Sequence, residues 1–61
     1  MEFELNYKSK KYLVKVENGS VWVRKDNKGT SINLPTENEV TSKDDAINIA
    51  KQIIDNTATL R

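Results

Sequence analysis

The 61-residue sequence predicts an α+β fold, a four-stranded antiparallel meander with one C-terminal helix packed on one of its faces. Apolar residues alternate with period 2 through the first half, as in strands with one buried face. In the last third they recur at the 3.6-residue spacing of an amphipathic helix. Three separately placed turns also bring the apolar residues of every strand to the same side, and such agreement outweighs any single propensity.

The clearest turn is Asn18-Gly19, since both residues accept positive φ at low cost and a two-residue hairpin loop needs it. It sets Val16 opposite Val21 and Val14 opposite Val23, with Lys15 beside Trp22 and Leu13 beside Arg24 on the other face. Upstream, a four-residue loop over Lys8–Lys11 sets Tyr7 opposite Tyr12, Leu5 opposite Val14 and Phe3 opposite Val16. Downstream, a four-residue loop over Asp26–Gly29 sets Val23 opposite Ile32 and Val21 opposite Leu34. The expected strands are about 2–7, 12–17, 20–25 and 30–34, the last ended by Pro35, which has no N–H to give a ladder. A polar connector, Thr36–Val40, leads to Ser42 as N-cap, with Asp45 three residues on in an acidic variant of the capping box. Asp44 and Asp45 then favour the positive end of the helix dipole. The helix is expected over about 43–57, burying Ala46, Ile49, Ala50, Ile53, Ile54 and Thr57, with 58–61 as a fraying tail.

A chain of this length forms one domain, 1–61, and buries only about 60% of the surface its unfolded form exposes. Having neither Cys nor His, it excludes disulfides, the usual zinc sites and His-dependent triads. No glycine-rich phosphate loop remains once Gly19 and Gly29 are used in turns, and Glu37, Glu39, Asp44 and Asp45 do not have calcium-loop spacing. The expectation is a non-enzymatic protein without cofactor or metal. No apolar run reaches membrane-span length and no signal segment is evident, so a cytoplasmic location without membrane contact is expected.

Net charge is only +1, but it is unevenly spread. Residues 1–30 hold seven cations (Lys8, Lys10, Lys11, Lys15, Arg24, Lys25, Lys28) against four acids, and residues 31–61 hold three against five. In the expected register Trp22 stands on the uncovered face, flanked by Lys15 and Arg24, with Lys8, Lys10, Lys11, Lys25 and Lys28 gathered at one end. An exposed ring among cations can stack a base while its neighbours hold phosphates. The same composition is that of a protein-interaction hot spot. It is also that of a ring lying flat over Lys15 and Leu13, with hairpin lysines serving solubility. The expected function is that of a small non-enzymatic nucleic-acid-binding protein using the open sheet face and the lysine-rich end. The alternative is a protein-interaction module or small inhibitor, of phage or mobile-element type, on the same face. The partner is DNA or RNA, or an acidic protein, and the chain a monomer or a homodimer.

The run Gly19-Ser20-Val21-Trp22-Val23-Arg24, the turn at Lys28-Gly29 and the helix start Thr41-Ser42-Lys43-Asp44-Asp45-Ala46 together resemble two families. These are the arm-type DNA-binding domains of integrase N-termini and the plant ethylene-response-factor domain. The resemblance spans about residues 12–56 and implies that the sheet face away from the helix enters a DNA groove, with Trp22, Arg24 and Lys15 at the contact. An extra N-terminal strand, a longer connector and fewer arginines depart from that pattern. The shape is also similar to small phage-encoded inhibitors of host enzymes.

Overall fold

The computed structural model describes residues 1–25, 31–33, 36 and 38–61. Strands β1 (Glu2–Tyr7), β2 (Lys10–Glu17), β3 (Ser20–Lys25) and β4 (Ile32–Asn33) form one antiparallel sheet in the order β1-β2-β3-β4. Helix α1 (Lys43–Asn56) packs on one face, and a short 3₁₀ turn, Ala58–Leu60, follows it. The α+β meander with its covering helix is thus the fold of the protein.

At the second hairpin, Asn18 and Gly19 have φ of 53° and 78°, and the β2–β3 register is the expected one, with Val14 opposite Val23 and Val16 opposite Val21. Gly19 is required twice over. Its φ lies in the left-handed region, and a Cβ there would stand 2.7 Å from Cγ of Glu39. The connector is drawn in at this point by the Val40 N–H, which donates to the Gly19 carbonyl at 3.0 Å and seats Val40 in the core. Val23 opposes Ile32 as expected, whereas the expected Val21–Leu34 pair, the loop 26–29 and Pro35 lie outside the described residues.

The first hairpin corrects the expected register. Lys8 and Ser9, with φ of 52° and 64°, make a two-residue turn, so Tyr7 opposes Lys10, Leu5 opposes Tyr12 and Phe3 opposes Val14. Strand β2 therefore starts at Lys10, not near residue 12. Strand faces alternate with period 2, so a two-residue shift leaves every side chain on its expected face and changes only its neighbour. The ladder also extends past Glu2: the Met1 amino group donates to the Val16 carbonyl at 3.1 Å, and the Val16 N–H donates back to the Met1 carbonyl at 2.7 Å.

Ser42 caps the helix as expected, its Oγ accepting the Asp45 N–H at 3.2 Å. Ala46 and Ala50 are fully buried, their small side chains letting the helix backbone approach the sheet, while Ile53 and Ile54 fill the space against Tyr12, Val14, Val21 and Val23. Burying each such isoleucine contributes about 1.5–3 kcal/mol. The helix ends at Asn56, one residue before the expected boundary, and Thr57 is its half-buried C-cap. The tail does not fray as expected. Leu60 is 3% exposed, and its carbonyl accepts the hydroxyl of the buried Tyr12 at 2.6 Å.

Candidate functional site

The pleat of β1–β3 places Glu2, Glu4, Asn6, Lys11, Leu13, Lys15, Glu17, Ser20, Trp22 and Arg24 on the face away from the helix. Trp22 lies between Lys15 on β2 and Asn33 on β4, and the residue is 39% exposed. The exposed ring next to Lys15 is as the turn registers predict. Arg24 is half-buried beside Leu13, and with Glu2, Phe3 and Glu4 these two line a shallow depression at the β1 side of the sheet.

The electrostatics differ from the expected cationic platform. Lys15 Nζ is 3.1 Å from Glu17 Oε2, two residues along the same strand, and the hydrogen bond it donates to that carboxylate raises the Lys15 pKa. Lys11 Nζ is 3.7 Å from Glu4 Oε2. The corrected register also puts Glu2, not Glu4, opposite Lys15, and Glu4 opposite Leu13. On this face of β1–β3 the cations Lys11, Lys15 and Arg24 are matched by the carboxylates of Glu2, Glu4 and Glu17.

Lys8, Lys10, Lys11 and Lys25 lie at the expected end of the meander, but not all on the open face. Strand parity sends Lys10 and Lys25 to the helix side, with Tyr12 and Val23. Lys25 Nζ donates to the Arg61 carbonyl at 3.2 Å. Lys8 Nζ lies 2.8 Å from Asp55 Oδ1 on the helix, and the same carboxylate accepts the Tyr7 hydroxyl at 2.9 Å. Hydrogen bonds from Lys8 and then Tyr7 lower the Asp55 pKa, while the bond to Asp55 raises those of Lys8 and Tyr7. Lys28 lies outside the described residues. Of the expected contact residues, the structure brings Lys15, Trp22, Arg24 and Lys11 to one face and separates Lys8, Lys10 and Lys25 from it.

The ion-pair partners Glu17 and Asp55 were missed by a reading centred on cations. Glu17 was within reach, since residues two apart on a strand share a face. Asp55 was not, because its meeting with Lys8 depends on how the helix crosses the sheet. One N–H of Asn33 is used within the sheet, its Nδ2 donating to the Val21 carbonyl at 3.1 Å.

Among the described residues no group of three or more acidic or metal-binding side chains is placed to hold a metal ion, and no helix is long and apolar enough to cross a membrane. Compared with protein-family models, curated proteins and solved structures, the chain matches none.

Proposed function

We propose that the chain is a non-enzymatic protein-recognition domain that docks a partner protein on its open sheet face, with Trp22 as the anchor and Leu13, Lys15 and Arg24 around it. The carrying observation is that the exposed Trp22 stands on a face where, among the described residues of β1–β3, cations and carboxylates balance. An aromatic anchor beside an apolar residue, within a rim of mixed charge, is the anatomy of a protein interface. A polyanion gains affinity chiefly from cations in excess of acids, and Glu2, Glu4 and Glu17 would repel its phosphates.

The test is affinity capture from nuclease-treated lysate of the source cell, followed by titration of the purified partner. Trp22→Ala is expected to fold normally and to weaken binding by about 30-fold or more, a hot-spot loss of at least 2 kcal/mol. A partner bound equally well by Trp22→Ala overturns the reading.

A second reading, binding of DNA or RNA, rests on one observation: Lys15 directly opposite Trp22 with Arg24 two residues on, as in sheets that stack single-stranded bases. The likeness to sheet-plus-helix DNA-binding domains belongs to this reading. It requires the Trp22 fluorescence to change on adding oligonucleotides and affinity to fall steeply with salt. Unchanged fluorescence at low salt removes it.

A further inference from the structure

Strand β1 is the terminal strand of the sheet, and among the described residues none pairs with its outer edge. Which backbone groups face that edge follows from Met1 and Val16, which exchange both of their hydrogen bonds. Bonded pairs recur at every second residue of an antiparallel ladder, so Phe3, Leu5 and Tyr7 also bond to β2. Glu2, Glu4 and Asn6 therefore turn their N–H and C=O groups outward. Of the usual protections of an edge, the six-residue strand has neither proline nor a bulge and carries only the charges of Glu2 and Glu4.

Above this edge the helix leaves the core side of β1 only partly covered. Phe3 and Tyr7 are half-buried beside the buried Leu5. Lys43 Nζ stands 5.1 Å from the centre of the Phe3 ring, and Asp55 takes the Tyr7 hydroxyl. At the Tyr7 end Lys8 and Lys51 also stand over the ring, 5.2 and 5.5 Å from its centre, and Lys8 pairs with Asp55.

We propose that β1 pairs antiparallel with β1 of a second copy of this chain, about a two-fold axis at Leu5, joining the two sheets into one. The strand is complementary to itself in this register. Leu5 meets Leu5, Phe3 meets Tyr7 of the second copy, and Glu4 exchanges backbone hydrogen bonds with Asn6. The neighbouring register that keeps the faces aligned sets Glu4 against Glu4, and like charges directly opposite are destabilising. A shift the other way, centred on Asn6, leaves only the end of the strand paired. In the joined sheet the two Trp22 residues lie on one side, five strand spacings apart across the sheet and about six residues apart along it, or about 30 Å in all, so a homodimer presents two docking faces together.

Sedimentation equilibrium of the wild-type chain, from micromolar to millimolar concentration, is expected to show a mass rising from 7.0 kDa toward twice that value. Glu4→Pro removes an outward N–H and leaves the bonds to β2 intact, so it is expected to keep its circular dichroism and remain at monomer mass. Without any substitution, amide exchange in the wild type is expected to slow with rising concentration at Glu4 and Asn6. Since the chain has no cysteine, Leu5→Cys is expected to crosslink to its own copy under oxidation, because facing non-bonded pairs have the Cα separation a disulfide accepts. Glu4→Cys is not. A constant monomer mass, concentration-independent exchange at Glu4 and Asn6, or crosslinking through Glu4→Cys alone overturns the proposal. Trp22→Ala is expected to dimerise like the wild type, which separates this outcome from that of partner docking.

Discussion

Tyr12→Phe removes one oxygen from the interior and tests how the C-terminal turn is held. Tyr12 is 1% exposed, and its hydroxyl bond to the Leu60 carbonyl, 2.6 Å long, joins β2 to a segment 48 residues away. Losing a net hydrogen bond costs about 0.5–1.5 kcal/mol, and a carbonyl left dry costs about 1–3 kcal/mol, so a loss of about 1–3 kcal/mol is expected. For a chain of this size total stability is of order 3–9 kcal/mol, which makes the change large. The melting temperature should fall by about 4–8 °C per kcal/mol. Urea unfolding followed by circular dichroism measures the loss in the full chain and in a chain ending at Thr57. In the shortened chain the carbonyl is gone and the hydroxyl reaches water, so the same substitution should cost less than about 0.5 kcal/mol, as a double-mutant cycle requires of a shared interaction. An equal cost in both backgrounds refutes the assignment of the effect to this bond.

Gly19→Ala forces a side chain into a left-handed position and against Glu39, and should cost about 1–2 kcal/mol in the same urea assay. Ser9→Gly relaxes a non-glycine φ of 64° and is expected to raise stability by up to about 1 kcal/mol, less the entropy glycine adds to the unfolded chain. Asp55 is held below its usual pKa by the hydrogen bonds from Lys8 and Tyr7. Its contribution is therefore complete above the unfolded value, near 3.8, and is lost as pH falls through the lower folded value. The raised pKa values of Tyr7 and Lys8 act oppositely, giving stability that is full below their unfolded values and lost as pH rises through the folded ones. Urea midpoints measured across pH should show Asp55→Asn flattening both limbs, and an unchanged acid limb would count against the cluster.

The two hairpins show why one register could be read and the other could not. Asn18-Gly19 announces positive φ chemically, because those residue types enter the left-handed region readily. Lys8-Ser9 adopts the same geometry without that signature, and Lys8-Ser9-Lys10-Lys11 reads as a longer polar loop. Several contacts favour the tighter turn. Lys8 is held by Asp55, Tyr12 sits beside Leu5, and Met1 completes the ladder at Val16. All three are tertiary or reach the far end of the strand, so no local pattern carries them. The core survived the misreading because the error was an even number of residues. The candidate site did not survive unchanged, since its properties depend on neighbours, and a two-residue slip exchanges Glu4 for Glu2 beside Lys15.

The same period explains what became of the lysines. Lys10 and Lys11 are adjacent in the chain and must point to opposite faces of β2, so a run of cations in sequence is divided by the strand that contains it. Lys11 meets Glu4 on the open face, while Lys8 and Lys25 turn to the helix side and end on Asp55 and the C-terminal backbone. Charge that is concentrated along the chain is therefore divided between the two faces of one end of the sheet. Trp22 has no such counterpart. Its ring cannot be neutralised by a neighbouring carboxylate, and its exposed area persists whatever the ions around it do. On the described strands of that face, where charges balance, the uncancelled property is apolar area, and this is what supports the proposed protein partner over one that offers phosphate alone.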